Sequence, residues 1–97
     1  MPFNVADCKT FHGVNQAIFD CVKQKSYAEH GTIYDPATGN KGTATTNIAV
    51  VGKIVVSFDF DPTAESITYC IVSKPWIVSV SQIFDGIGDT INGCRQR

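Results

Sequence analysis

The chain of 97 residues is long enough for one domain, and with 43% hydrophobic residues it can form a buried core. A net charge of -1, without any cluster of Lys or Arg, excludes a protein that binds nucleic acid through a basic face. No apolar run approaches the roughly 20 residues of a membrane-spanning helix. We therefore expect a single α+β domain over residues 1–97, with no nucleic-acid partner and no membrane.

Four cysteines, Cys8, Cys21, Cys70 and Cys94, form an even set in a short chain. Such a set is typical of secreted proteins with two disulfides, and three pairings are open; four reduced, buried thiols are the alternative. The first seven residues have no basic start and no apolar segment, so no signal peptide is predicted. The cysteines favour a secreted or periplasmic mature chain over a cytoplasmic one, without deciding the compartment.

The N-terminal quarter carries a helical pattern. Apolar residues recur there at intervals of three and four, and Asn4 is placed to cap a helix. We expect this helix over about residues 5–25. A Cys8–Cys21 disulfide is incompatible with one continuous helix, because the two residues would lie about 20 Å apart, whereas a disulfide needs Cα atoms within about 7 Å.

The most regular stretch lies in the middle, over residues 48–61. From Gly52 onward, hydrophobic and polar residues alternate strictly, which is the period of a strand buried on one face. The pattern predicts one straight strand through Gly52, a turn at 61–66, a returning strand at 67–72, and a short strand at 31–34. The predicted core pairs one face of the sheet with the helix: Ile54, Val56, Phe58, Phe60, Ile67, Tyr69 and Ile71 against Phe11, Ile18 and Val22.

The pattern changes after Lys74. Pro75 marks a strand end or a turn, and the alternation over residues 76–80 predicts another strand. Residues 83–91 have helical spacing that glycines weaken. The predicted fold is therefore α+β: an N-terminal helix packed on an antiparallel sheet of three to five strands, with a short C-terminal helix or tail.

No catalytic, cofactor-binding or metal-binding motif stands out. The sequence has no Cys-x-x-Cys, no phosphate-binding glycine loop, and no nucleophile motif around a cysteine. We therefore expect a protein that is not an enzyme and that needs neither a cofactor nor a metal. Apolar residues on the predicted outer face, Ala49, Val51 and Val55, favour a small interaction module with a protein partner or a homodimer mate.

Two short segments resemble the cystatins: Val50-Val51-Gly52 before a hairpin and Pro75-Trp76 after it. In that family a Q-x-V-x-G loop and a Pro-Trp loop form a wedge that plugs the cleft of papain-like cysteine proteases. Ile48 stands here in place of the Gln. The resemblance implies a cystatin-like roll, a protease inhibitor, and a Cys70–Cys94 disulfide. It also implies partner-binding residues: Val50, Val51, Gly52, Pro75 and Trp76.

Three functions therefore stay open from the sequence. The first is a non-enzymatic binding module, such as a secreted effector or an adaptor. The second is a cystatin-like inhibitor of cysteine proteases. The third is a carrier of a small apolar ligand, held in a cavity between the helix and a curved sheet.

Overall fold

A computed structural model describes residues 7–95, which form two helices and a five-stranded antiparallel sheet. In chain order the elements are β1 (Cys8–His12), α1 (Gln16–His30), β2 (Ile33–Asp35), β3 (Lys41–Ile48), β4 (Gly52–Asp61), β5 (Ser66–Ser73) and α2 (Val80–Arg95). The strands follow the order β1-β5-β4-β3-β2, so that β2 to β5 form a meander and β1 pairs with the last strand. This arrangement confirms the predicted α+β class.

The core lies between one face of the sheet and the two helices. The predicted alternation in β4 is confirmed, because Val56, Phe58 and Phe60 are all buried. Phe19 of α1 packs on this face, with its ring centroid 4.6 Å from that of Phe60. Burying such a side chain contributes about 1.5–3 kcal/mol. The buried cluster consists of Val14, Phe19, Val22, Ala44, Val56, Phe58, Phe60, Ile67, Tyr69, Ile83, Phe84, Ile91 and Cys94.

The predicted start of the first helix is wrong. Residues 8–12 pair with β5 as an edge strand instead. Gly13, at φ 71°, turns the chain out of that strand, and Asn15 caps α1 by accepting a hydrogen bond from the Ile18 N–H at 2.9 Å. Gly31 adopts the left-handed conformation that ends the helix. The predicted cap Asn4 lies outside the described residues.

Two strand predictions in the second half are also wrong. The chain does not run straight through Gly52: it reverses at residues 49–51, and Ile48 pairs with Gly52 across the β3–β4 hairpin. Of the segment at 76–80, residues 76–79 form a turn and Val80 begins α2. Ser79 and Gln82 form a reciprocal capping box there, with Gln82 N–H to Ser79 Oγ at 3.1 Å and Ser79 N–H to Gln82 Oε1 at 2.9 Å.

The C-terminal helix is longer than predicted, at 16 residues, in spite of its glycines. At Gly93 the helix lies against the Lys25 side chain of α1, and a Cβ there would come within 2.9 Å of Lys25 Cε, so that the flexible lysine would have to shift. The helix also packs its buried residues Ile83, Phe84 and Ile91 into the core, and tertiary packing of this kind can override the low helix propensity of glycine.

Two disulfides connect the elements, as the even number of cysteines predicts. Cys8 pairs with Cys70 and Cys21 pairs with Cys94, at Cα–Cα distances of 4.0 and 5.9 Å. The first joins β1 to β5 and the second joins α1 to α2. The Cys70–Cys94 pairing implied by the cystatin resemblance is therefore wrong. Neither helix within residues 7–95 is long and apolar enough to cross a membrane.

Candidate functional site

Two loops meet at one end of the sheet: the β3–β4 turn and the β5–α2 loop. Strand β5 ends at Ser73, opposite Val55 of β4, which directs the following loop towards the start of β4. A Cβ at Gly52 would lie 3.1 Å from Pro75 Cγ. Glycine at this position therefore lets the two loops approach each other. The structure thus brings together the two segments, Val50-Val51-Gly52 and Pro75-Trp76, that the sequence proposed as a site.

The two loops and the adjoining strand ends carry most of the exposed apolar surface of the described chain. Among residues 7–95, six of the eight exposed large hydrophobic residues lie here. Val50 is fully exposed (106%) and Trp76 nearly so (89%). Concentrated apolar exposure of this kind marks contact surfaces. We call this surface the apolar tip and define it as Ile48, Val50, Val51, Val72, Trp76 and Ile77.

Val50 has an unfavourable backbone conformation. The Val51 N–H donates to the Ile48 carbonyl at 3.1 Å, which closes a four-residue turn over residues 48–51. Val50 occupies the third position at φ 72°. This is the pattern of a type II turn, whose third position favours Gly or Asn. A β-branched residue there is strained by about 1–2 kcal/mol, and its exposed side chain recovers none of this by burial.

The charged residues that adjoin the two tip loops along the chain are both positive. Lys53 follows the β3–β4 turn and Lys74 precedes Pro75, whereas residues 47–55 and 72–82 contain no Asp or Glu. The carboxylates of Asp59, Asp61 and Glu65 belong to the opposite end of the β4–β5 hairpin. The tip is therefore an apolar surface with a cationic border.

The outer-face patch predicted from Ala49, Val51 and Val55 does not form as one strand face. Ala49 and Val51 lie in the turn, and only Val55 lies on the sheet, where it is half-buried opposite Thr45 and Ser73. The reversal of the chain before Gly52 moves the first two residues to the apolar tip. Three residues of the tip were not predicted as site residues: Ile77 directly follows a predicted segment, whereas Ile48 and Val72 lie two and three residues before one.

A second feature is a cavity of about 220 Å³ between α1, α2 and the sheet. Tyr34 and Tyr69 line it, and their hydroxyl oxygens are 2.7 Å apart. Burial raises the pKa of Tyr34 and holds the pKa of Tyr69 well above its usual range. Both phenols are therefore protonated at neutral pH, so that this part of the cavity wall is uncharged.

The cysteines and histidines do not assemble into a reactive centre. All four cysteines are in disulfides, so that none is a thiolate nucleophile or a metal ligand in this state. His12 is the last residue of β1 and His30 is the last residue of α1, and both are exposed. Within the described range 7–95, no group of three or more His, Cys, Asp or Glu residues is placed to hold a metal ion.

Comparison with known proteins finds no matching family model, no matching curated sequence and no matching solved structure. The class of the protein therefore follows from its own fold and surface. It is a small α+β domain with two disulfides, in which two adjacent loops expose apolar residues at one end of an antiparallel sheet.

Proposed function

We propose that the chain is a non-enzymatic protein-binding module and that the apolar tip is its contact surface. One observation carries this proposal: two loops approach each other and, together with the adjoining strand ends, expose six large apolar residues. Each such residue would contribute about 1.5–3 kcal/mol if it were buried instead. Exposure at the tip is therefore unfavourable for the isolated domain and becomes favourable when a partner covers it.

The tip also indicates the chemistry of the partner. Trp76 is a rigid, large side chain of the type that dominates binding energy when it enters a pocket. Lys53 and Lys74 at the border favour a partner whose apolar cleft is surrounded by carboxylates, because complementary charge speeds association and selects partners. The same lysines would repel each other across a symmetric tip-to-tip contact. We therefore propose a different protein as the partner, rather than a second copy of this chain.

The two disulfides support a site of action in an oxidising compartment, such as the extracellular space or the periplasm. Their sequence separations of 62 and 73 residues mean that both constrain most of the unfolded chain. A domain of this size is stabilised substantially by such links, which suits a protein that works outside the cell.

Affinity capture from the extracellular fraction of the source tests the proposal. The immobilised wild-type domain is compared with Trp76→Ser and Lys53→Glu, and with Ile33→Ser as the matched control. Ile33 is also an exposed apolar residue (52%), but it lies on the edge strand β2, opposite Thr45 of β3, and belongs to neither tip loop. Loss of a tryptophan hot spot weakens binding by at least about 2 kcal/mol.

We expect one captured protein whose affinity falls about 30-fold with Trp76→Ser, falls less with Lys53→Glu, and stays unchanged with Ile33→Ser. Capture that is equal for wild type and Trp76→Ser, or that is lost with Ile33→Ser, would contradict the proposal. Sedimentation equilibrium of the isolated chain adds a second criterion. A stable dimer that Trp76→Ser dissociates would show that the tip binds a second copy of this chain and not a different protein.

A second candidate function is inhibition of papain-like cysteine proteases. It is favoured by the contact between Gly52 and Pro75, because a cystatin-like wedge needs a hairpin turn and a Pro-Trp loop side by side. Ile48 in place of Gln and the absence of a Cys70–Cys94 bridge count against it. A papain activity assay decides: concentration-dependent inhibition that Trp76→Ser removes supports this function, and full papain activity in excess inhibitor excludes it.

A further inference from the structure

The cavity between the helices and the sheet has a buried floor and an open mouth. Val22, Ala44 and Tyr69 lie at the floor and are at most 4% exposed, whereas His30 and Gln82 lie at the mouth. Its volume of about 220 Å³ exceeds the roughly 150 Å³ of an apolar protein cavity that takes up benzene. The space is therefore sufficient for a small organic molecule.

The hydroxyl groups on the cavity wall already have protein partners. Six hydroxyl-bearing residues line the cavity, and each forms a hydrogen bond within the protein. The bonded pairs are Tyr34 with Tyr69, Thr32 with Thr46, Ser26 with the carbonyl of Val22, and Thr90 with the carbonyl of Gly86. Water inside a cavity needs about two to four polar partners. Because each of these hydroxyl groups already has a partner in the protein, an apolar group that displaces water from the cavity leaves none of them without a hydrogen bond.

The wall is also uncharged. Apart from the two protonated tyrosines, His30 is the only ionisable side chain among the cavity-lining residues of the described range 7–95, and it stands at the mouth. No Lys, Arg, Asp or Glu is among the lining residues. A charged ligand would lose its hydration without gaining a counter-charge. The occupant must therefore be neutral.

We propose that this cavity is a binding site for a small, neutral, predominantly apolar molecule. The volume suits about 8–12 non-hydrogen atoms, such as one substituted aromatic ring or a fused pair of small rings. The isoleucines on the two sides, Ile54 on β4 with Ile83 and Ile87 on α2, supply the apolar contacts. A single polar group on the ligand would lie at the mouth, next to Gln82. Ile48 belongs both to the cavity lining and to the apolar tip, so the cavity adjoins the tip, but binding of a small molecule does not depend on the proposed protein-binding function.

Indole is the probe for the test, because it is neutral and has a fused aromatic ring of suitable size. Indole is titrated into the full chain with intact disulfides while the methyl resonances of Val56 and Ile83 are followed by NMR. The variant Ala44→Leu fills the floor of the cavity. The matched control is Ala28→Leu, which makes the same change at an exposed position of α1.

We expect saturable methyl shifts with a Kd of about 0.1 mM and cross-relaxation between the indole ring protons and the methyl groups of Val56 and Ile83. Ala44→Leu weakens binding by at least about tenfold, and Ala28→Leu leaves it unchanged. Shifts that do not saturate, or that are confined to Val50 and Trp76 at the tip, would overturn the proposal. If Ala44→Leu does not fold, the cross-relaxation in the wild-type chain decides.

Discussion

Replacement of Val50 by Asn should stabilise the domain and weaken partner binding at the same time. Val50 occupies the third position of the β3–β4 turn at φ 72° and is fully exposed. Asn adopts this left-handed conformation more readily than any β-branched residue. Because no apolar contact is lost within the domain, the relief of backbone strain is the main effect on stability.

The magnitude follows from the backbone alone. A β-branched residue in the left-handed region costs about 1–2 kcal/mol, and Asn recovers most of this. We expect the free energy of unfolding of Val50→Asn to rise by about 1 kcal/mol, which corresponds to a Tm increase of about 4–8 °C for a domain of this size. Val50→Gly should raise the free energy of unfolding less than Val50→Asn does. Glycine gives the unfolded chain more conformational freedom, which destabilises the folded state by about 0.5–1 kcal/mol.

The assay is guanidinium unfolding followed by circular dichroism, with both disulfides intact. Glu65→Asn is the matched control, because Glu65 is the other non-glycine residue with positive φ (52°) among residues 7–95, and it lies at the opposite end of the β4–β5 hairpin. Glu65→Asn should stabilise slightly and leave partner binding unchanged. A lower free energy of unfolding for Val50→Asn would mean that the valine side chain supports the fold and that its backbone is not strained.

Three further predictions concern the core, the disulfides and the pH dependence. Phe58→Asp places an unpaired carboxylate in the core and should unfold the domain; a folded, monomeric variant by circular dichroism and gel filtration would contradict the core assignment. Replacing Cys21 and Cys94 by Ser should lower the free energy of unfolding by about 4 kcal/mol, from the 73-residue separation; an unchanged denaturation midpoint would count against this link. Burial raises the pKa of Tyr34 and of Tyr69, so the folded chain keeps protons that the unfolded chain releases above pH of about 10. The contribution of the two tyrosines to the free energy of unfolding should therefore be fully present below that pH and should fall above it. Denaturation midpoints that stay level up to pH of about 11.5 would be inconsistent with the buried pair.

The central hairpin was predictable from the sequence because its pattern is local. Strict alternation from Gly52 to Asp61 placed Val56, Phe58 and Phe60 on the core face, where the structure has them. The turn before Ser66 and the returning strand β5 were predicted for the same reason. A strand that is buried on one face fixes its own orientation, whatever covers it.

The N-terminal segment was mispredicted because two patterns coincide there. Cys8 and Phe11 fit a helical spacing, but residues 8–12 are also short enough for an edge strand, and only the distant partner β5 decides between them. Gly13 and Asn15 were the available local signals, as a strand end and a helix cap. The disulfide pairing was not predictable either, because spacing alone leaves all three pairings open.

The candidate site was predicted as two segments, but its form was not. The apolar run Ile48-Ala49-Val50-Val51 gave no sign of the reversal at residues 49–51, because Val is a poor residue for the third position of a type II turn. That mismatch between sequence and backbone lies within the surface that we propose as the contact site. Exposed strain persists where a residue is needed for something other than folding.

Photo-crosslinking at two matched positions tests whether the apolar tip is the surface that contacts a partner protein. Ile77 on the apolar tip and Ile33 on β2 are both exposed isoleucines, at 63% and 52%. Two variants are prepared, Ile77→p-benzoylphenylalanine and Ile33→p-benzoylphenylalanine. Each is mixed with the extracellular fraction and irradiated, and the crosslinked products are compared by mass spectrometry. If the apolar tip is the contact surface, we expect one saturable adduct with a single protein from position 77 and none from position 33. Equal adducts from both positions, or an adduct from position 33 alone, would contradict it.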